Sequence, residues 1–278
     1  MNDGSAIEEL LRRDRGIALA GLTLLCALAW LYILMGVGVG MSAWEMTSLS
    51  LFPHQLGGDH ATAMVATQRE AWPLGGWIVM IAMWWIMMIA MMAPSAAPAI
   101  LLYAKVNRQT QAKNSIDNEI ARIGAFAGGY LSVWLAFSFV ITVFQWTLER
   151  TGLVSAMMMG SQSRWLSSAV LLAAGLYQLS PPKQACLSHC RAPASFLARH
   201  YRPHATGAFR LGALHGSYCV GCCWILMTLL FVGGAMNLVW IAAITTMVLL
   251  EKVLRAGRWV SRAAGVALIA WSIATVLV

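Results

Sequence analysis

The sequence predicts an all-α fold: a polytopic membrane helix bundle of about seven transmembrane helices with a cytoplasmic N-terminus. Hydrophobic residues make up 59% of the 278 positions, charged residues make up 11%, and the mean hydropathy is +0.68. Several apolar runs reach the length of about 18 residues that indicates a membrane-crossing helix. A third observation is that the basic residues lie in short loops between these runs. The composition excludes a soluble protein. We predict that the chain is embedded in a lipid bilayer.

The apolar runs set the order of the predicted helices. A polar N-terminal segment, residues 1–16, precedes a first span that lacks the small-residue cleavage site of a removable signal peptide. From residue 17 to residue 278 we predict one transmembrane domain. Its seven spans are Ile17–Val39, Gly76–Leu102, Ile123–Thr147, Trp165–Ser180, Gly207–Gly234, Leu238–Leu250 and Ala263–Val278.

The distribution of the basic residues predicts the orientation. With the N-terminus inside, 16 of the 19 Lys and Arg residues fall on one side of the membrane, and only Arg69, Arg150 and Arg164 fall on the other. Because Lys and Arg accumulate in cytoplasmic loops, this places the C-terminus outside. The net charge of +8 therefore reports orientation. No basic face with interleaved aromatic residues occurs in the sequence, so we predict no nucleic-acid partner.

The fifth predicted span carries an unusual group of side chains, His215, Cys219, Cys222 and Cys223. They follow each other at i, i+4, i+7 and i+8, so on a helix they occupy one arc about 100° wide. Imidazole and soft thiolate suit Cu(I) or Zn(II) rather than Mg²⁺ or Ca²⁺. We therefore predict a metal site on this face. Packing is the simpler alternative, since an unpaired cysteine behaves as a small hydrophobic residue.

The second predicted span carries a stripe of methionines, with Met88 in the same run. Four of them project within about 80° of one another: Met80, Met83, Met87 and Met91. Thioether is a soft, uncharged ligand that favours Cu(I), although a methionine stripe is also a common core filling. Counting residues along the helices places Met87, Met91 and the cysteine face near the bilayer midplane. We therefore expect the two groups to meet.

Backbone chemistry predicts two local features of the second and third spans. Pro94 and Pro98 remove two backbone donors near the inner end of the second span, so we expect a kink or a loosened turn there. The third span begins with Gly124 and the pair Gly128 and Gly129, small residues that allow neighbouring helices to approach closely.

A second cysteine group, Cys186 and Cys190, follows the Pro181-Pro182 pair. A short helix would bring both sulfurs onto one face with His189 beside them. The basic neighbours Lys183 and Arg191 would favour the thiolates. We expect this group to mark the cytoplasmic mouth of the metal site, with reactive surface thiols as the alternative.

Four weaker features complete the set of candidates. Cys26 stands alone in the first span, where packing is its expected role. Glu251, at the end of the sixth span, either pairs with Lys252 or lies in the headgroup region, or it serves the site as a counter-charge or proton acceptor. Two loops offer further soft or imidazole ligands: Met46, His54, Asp59, His60 and Met64 in one, and three exposed thioethers, Met157, Met158 and Met159, in the other.

Several of the cysteine, methionine and lysine motifs described above resemble those of a known family. It is a family of bacterial predicted metal-binding integral membrane proteins linked to copper-chaperone activity. The resemblance covers roughly residues 75–260, and its most specific part is Cys219-Val-Gly-Cys222-Cys223-Trp224. It implies a protein of the bacterial inner membrane that binds copper and delivers it to a copper-dependent oxidase of the tyrosinase kind. The other matching blocks are Met83-Trp-Trp-x-Met87-Met88-x-Ala-Met91-Met92-Ala-Pro94, Lys183-x-x-Cys186-Leu-x-x-Cys190-Arg191-x-Pro193, Met236-Asn237-Leu-x-Trp240 and Glu251-Lys252.

Our leading hypothesis is a non-enzymatic Cu(I) chaperone, with zinc as the alternative metal. Two or three thiolates backed by weaker thioethers suit a protein that must release its metal. Two other functions stay open. A metal permease would use the same site, and a thiol-disulfide oxidoreductase would use Cys186 with Cys190 and Cys219 with Cys222 as exchanging pairs. No nucleotide-binding loop occurs in the sequence, which argues against an ATP-driven pump.

Overall fold

The structure is a computed structural model that describes residues 3–36, 47, 72–110, 116–156, 158–202, 204–254 and 256–277. The described residues are predominantly helical, with a single isolated antiparallel bridge between Val154 and Ser161 and no extended strand. In chain order the helices are α1 (Asp3–Met35), α2 (Leu74–Thr110), α3 (Ile116–Arg150), α4 (Arg164–Leu179), α5 (Pro181–Arg191), α6 (Pro193–His200), α7 (Ala205–Thr228), α8 (Leu230–Gly233), α9 (Leu238–Val253) and α10 (Gly257–Leu277).

Four stretches of the described chain are long and apolar enough to cross a membrane: Leu74–Asn107, Glu119–Arg150, Ala205–Gly233 and Gly257–Leu277. The other three predicted spans coincide with shorter helices. The apolar part of α1 is Leu19–Met35, and α4 and α9 contain 16 residues each. Sixteen helical residues extend about 24 Å, which is less than the bilayer core of about 30 Å. The all-helical fold is confirmed, whereas the count of seven spans and the orientation stay predictions.

Helix α2 lies at the centre of the bundle, between α1 and α3. Two indole groups fix it against α3: Trp84 Nε1 donates to Gln145 Oε1 at 2.6 Å, and Trp85 Nε1 donates to the Leu131 carbonyl at 3.0 Å. Buried indole N–H groups need such partners. The helix is enclosed around much of its circumference, because five of its methionines are at most 1% exposed: Met83, Met87, Met88, Met91 and Met92.

The two prolines of α2 do not end the helix, which runs on to Thr110. Pro94 has no N–H to donate to the carbonyl of Ala90, four residues earlier. The Cys26 thiol of α1 lies 3.8 Å from that carbonyl oxygen and donates to it instead. The helix is continuous through both prolines, so the expected kink or loosened turn stays a prediction. Cys26 has the packing role predicted for it, and it also supplies a hydrogen bond that α2 lacks.

Helices α3 and α7 touch backbone to backbone. A Cβ atom on Gly129 would lie 2.0 Å from the Phe209 carbonyl oxygen, and one on Gly212 would lie 1.9 Å from the Phe126 carbonyl oxygen. Both distances are far below any van der Waals contact, so only glycine fits. The predicted close approach is confirmed for Gly129, whereas Gly128 has nothing within 4 Å of an added Cβ. This contact fixes the position of α7 relative to α3.

Two short helices, α5 and α6, fold back onto the bundle between α4 and α7. The Ser180 hydroxyl accepts a hydrogen bond from the Lys183 N–H at the start of α5, and Pro181 and Pro182 occupy the first turn. Serine at the N-cap followed by proline is a favourable helix start, since proline has the helical φ and the first N–H groups have no partner. Helix α5 packs along α7, and α6 packs against α2.

Candidate metal centre

Four cysteines from two helices form one group, which we call the thiol cluster: the half-buried Cys190 of α5 with the buried Cys219, Cys222 and Cys223 of α7. The three cysteines of α7 are at most 1% exposed, and all four are free. The Cys190 thiol lies next to the sulfurs of Cys219 and Cys222 and interacts with both. Helix α5 folds back along α7 and brings this sulfur to the others, so Cys190 lies at the cluster itself. Its expected position at the cytoplasmic mouth of the site stays a prediction.

Gly221 allows α5 to approach α7 at this point. A Cβ atom on Gly221 would lie 2.9 Å from Cys186 Sγ, closer than real side chains approach. Cys186 therefore packs against the bare backbone of α7, one turn of α5 before Cys190. His189 is exposed: its ring stacks on Tyr218 with centroids 4.3 Å apart, and its Nδ1 lies 2.9 Å from the Ala185 carbonyl oxygen.

The thiols of the cluster are engaged with the backbone of α7. Cys222 and Cys223 each donate to the Cys219 carbonyl oxygen at 3.0 Å. Across the described residues, no group of three or more His, Cys, Asp and Glu side chains has its ligand atoms already arranged to hold a metal ion. For these sulfurs to coordinate one ion, Cys222 and Cys223 must first rotate away from that carbonyl. The predicted metal role of these residues stays a prediction.

Two polar side chains from other helices contact the sulfur of Cys219. The Tyr130 hydroxyl of α3 lies 3.2 Å from Cys219 Sγ and 3.4 Å from the Met92 carbonyl oxygen. The Lys252 ammonium of α9 donates to Cys219 Sγ at 3.0 Å and to Ser95 Oγ at 2.9 Å. Side chains from α2, α3, α5, α7 and α9 thus converge on one sulfur atom and its neighbours.

The thioether that contacts the cluster belongs to Met92, whose Sδ lies 3.9 Å from Cys223 Sγ. The sequence analysis favoured Met91 and Met87. One residue turns the side chain by about 100° around a helix, so Met91 projects from a different part of α2 than Met92 does. Met88 precedes Met92 by one turn on the same side. Ser95, which follows Met92 by three positions, lies on the same face of α2 and contacts Lys252.

His215 lies one turn before Cys219 on α7 and is 3% exposed. Its ring is surrounded by aromatic rings, with centroid distances of 5.6 Å to Phe196, 6.0 Å to Tyr130 and 6.2 Å to Phe126. Within the described part of the chain its Nδ1 has no hydrogen-bond partner. A buried imidazole nitrogen with a free lone pair or proton is costly, and metal coordination is one way of satisfying it.

The two cysteines of α5 do not have the thiolate-favouring surroundings that the sequence indicated. Hydrogen bonds to Cys219 and Cys222 raise the pKa of the Cys190 thiol well above its ordinary value, and burial raises the pKa of the Cys186 thiol. The expected cations have other partners. Lys183 pairs with a carboxylate of α9, and Arg191 Nη2 donates to the Leu254 carbonyl oxygen at 2.6 Å.

Glu251 and Lys252 do not pair with each other, so that expectation is wrong. Glu251 Oε2 forms a buried ion pair with Lys183 Nζ at 2.7 Å, and its Oε1 accepts a hydrogen bond from Gln178 Nε2 at 2.9 Å. Lys183 also donates to Gln178 Oε1. Adjacent residues on a helix project about 100° apart. Consequently Glu251 faces α4 and α5, whereas Lys252 faces the thiol cluster.

The predicted loop ligands fall partly outside the described residues: Met46, His54, Asp59, His60, Met64 and Met157. Of the remaining two, Met158 is half-buried, and Met159 is fully buried with its carbonyl oxygen accepting from the Ala235 N–H at 3.3 Å. The prediction of an exposed thioether is therefore wrong for Met159, which is part of the core.

Comparison with known proteins identifies the family. A family model described as PpoB2, copper chaperone, matches residues 81–275 of the 278 in the chain. The matched segment contains the whole thiol cluster with Tyr130, Met92 and Lys252. No curated protein sequence and no solved structure matches the chain. The resemblance to a family linked to copper-chaperone activity is thereby confirmed, and the chain belongs to the PpoB2 family of copper chaperones.

Proposed function

We propose that this protein is a Cu(I) chaperone of the bacterial inner membrane and that the thiol cluster carries its copper. The observation that supports this most directly is the meeting of four cysteines with a thioether inside the bundle. Cys223 Sγ and Met92 Sδ are 3.9 Å apart, and Cys190 reaches Cys219 and Cys222. Soft sulfur donors favour Cu(I) over hard cations. Membership of a copper-chaperone family supports the same metal.

A membrane location is supported by the outer surface of the bundle. Large apolar side chains face outwards along the long helices: Ile78 is 61% exposed, Val140 is 62% exposed and Val266 is 61% exposed. A bilayer would cover these side chains, whereas water would not. We propose seven spans, with the shorter helices completed at the membrane surface, and a cytoplasmic N-terminus from the distribution of basic residues.

The proposed ligands are Cys219, Cys222 and Cys223 with Cys190, and with Met92 as a weaker exchange ligand. Binding of copper requires the thiols to lose their protons and the two that donate to the Cys219 carbonyl to turn away from it. Transfer then proceeds by ligand exchange, as one sulfur joins the ion before another leaves. His215 is a further candidate. The secondary candidates are Met83, Met87, Met88, Met91, Cys186 and His189.

We further propose that the copper passes to a copper-dependent oxidase. A chaperone must have an acceptor, and the family description implies a copper-related one. A site of mixed thiolate and thioether ligands suits delivery better than a closed structural site of four thiolates would. Zinc is the competing cargo, and the presence of the thioether favours copper over it.

The test is the metal content of anaerobically purified protein. We compare the wild type with the triple variant Cys219→Ser, Cys222→Ser, Cys223→Ser, and with Cys26→Ser as a matched control outside the cluster. We expect about one copper ion per chain in the wild type and in Cys26→Ser, and a loss of copper in the triple variant. Absence of copper from the wild type after reconstitution under reducing conditions would contradict the proposal.

A second candidate function, thiol-disulfide exchange, is favoured by one observation. Cys190 reaches two cysteines of a different helix, as an exchanging pair would. The same preparation distinguishes the two functions. A chaperone retains its full count of free thiols and binds copper. An oxidoreductase purified without reductant contains a disulfide that is lost in Cys190→Ser, and it binds no copper.

A further inference from the structure

We propose that Lys252 is a specificity-determining residue, a fixed positive charge that disfavours divalent ions at the thiol cluster and so selects monovalent copper. The inference rests on the proposed function, because it concerns the choice of metal at the same site. Lys252 lies on α9, a different helix from those that carry the four cysteines.

The ammonium group of Lys252 lies directly against the thiol cluster. Its Nζ lies 3.0 Å from Cys219 Sγ and 2.9 Å from Ser95 Oγ, and the side chain is partly buried. Contacts with α2 and α7 hold the ammonium group at the cluster. An ion bound by Cys219 therefore lies within a few ångströms of this group, and the interior between them screens their repulsion less than water does.

The acidic residue next to Lys252 in sequence is paired with a different cation. The nearest acidic neighbour in sequence, Glu251, is paired with Lys183 and hydrogen-bonded to Gln178 on another side of α9. Its charge is therefore already balanced by Lys183. The partners of Lys252 at the cluster are a sulfur atom and a hydroxyl group. The charge of Lys252 accordingly acts on whatever ion the sulfurs bind.

A fixed positive charge repels a divalent ion more strongly than a monovalent one. The repulsion between a fixed unit charge and a bound ion is proportional to the charge of the ion, so it is twice as large for Zn(II) as for Cu(I) at the same position. Removing the fixed charge then multiplies the affinity for Zn(II) by the square of the factor for Cu(I). If neutralisation raises the affinity for Cu(I) about tenfold, that for Zn(II) rises about 100-fold.

The experiment compares three variants of the full-length protein in detergent. Lys252→Gln removes the charge but keeps hydrogen-bonding groups for Cys219 and Ser95, and Lys252→Arg keeps the charge. Lys105→Gln removes a charge from the exposed surface of α2 and is the matched control. Affinities are measured by competition, with a chromophoric Cu(I) chelator under anaerobic reducing conditions and a chromophoric Zn(II) indicator. Circular dichroism checks that each variant is folded.

We expect the ratio of Zn(II) affinity to Cu(I) affinity to rise about tenfold in Lys252→Gln and to stay within about twofold of the wild type in the other two variants. An unchanged ratio in folded Lys252→Gln overturns the inference and leaves the chaperone proposal intact, provided that the wild type binds Cu(I). A wild type that binds no Cu(I) overturns both. Should Lys252→Gln fail to fold, Lys252→Met is measured in its place with the same expected ratio.

Discussion

The two sides of helix α7 are built in opposite ways. Towards α3 the contact is backbone against backbone, at Gly129 and Gly212, and leaves no room for a side chain. Towards α5 the contact is made by sulfur atoms, with Cys186 over Gly221 and Cys190 beside the other cysteines. The contact with α3 fixes the position of α7. The contact with α5 contains the cysteines that we propose as metal ligands.

Helix α5 is also held by a charge pair, which joins it to α9. Lys183 at the start of α5 and Glu251 of α9 are both fully or nearly fully buried. This pair fixes one end of the helix that brings Cys190 to the cluster. Variants of this ion pair and of Gly129 should lower stability, whereas variants of the cysteines on α5 should lower copper binding.

The largest effect is expected for the buried ion pair. Lys183→Met leaves the carboxylate of Glu251 buried without its counter-charge, and it should lower the free energy of unfolding by about 3–5 kcal/mol. The double variant Lys183→Met, Glu251→Met should recover most of that loss, since it removes both charges. Denaturation midpoints in detergent measure this. A double variant as unstable as the single one would show that the pair is not what holds α5.

A somewhat smaller loss of stability is expected on the α3 side. Gly129→Ala forces a methyl group against the Phe209 carbonyl oxygen and should cost about 2–3 kcal/mol through displacement of the helices. Gly128→Ala is the matched control, because nothing lies within 4 Å of its added Cβ. Equal denaturation midpoints for the two variants would contradict the tight contact. The copper stoichiometry of folded Gly129→Ala should remain that of the wild type.

The smallest effect is expected from a single sulfur on the α5 side. Cys190→Ser should weaken Cu(I) binding about tenfold, because one ligand of the cluster is lost while the others remain. Cys186→Ser, one helical turn earlier on α5, should weaken it by less than about threefold. Chelator competition measures both. If the two variants had the same affinity, the assignment of Cys190 to the cluster would be wrong.

Helical class and the three-cysteine face were predictable because both depend on local periodicity. Length and hydropathy indicate helices at α2, α3, α7 and α10, and the spacing of Cys219, Cys222 and Cys223 places them on one side of any helix. The family resemblance rested on the same local blocks. The count of seven spans does not follow from length alone, since α4 and α9 are each too short by themselves to cross the bilayer core.

The assembly of the cluster was not predictable from spacing. Cys190 was expected at the mouth of the site and not among its ligand sulfurs, Met87 and Met91 were favoured over Met92, and pairing with Lys252 was one of the alternatives for Glu251. Each of these depends on how far a helix is rotated about its axis and on which partner lies across from it. Those rotations are decided by contacts between residues far apart in the chain, such as Lys183 with Glu251 and Cys223 with Met92.

By itself, then, the sequence determined a helical membrane-type chain, a cysteine and histidine face on α7, and its kinship with a copper-chaperone family. Tertiary structure alone decided that a fourth cysteine joins that face, that Met92 supplies the thioether, and that a lysine rather than a carboxylate contacts Cys219. The reason is that composition and periodicity act within one helix. The partners of a buried polar side chain are chosen by the packing of several helices at once.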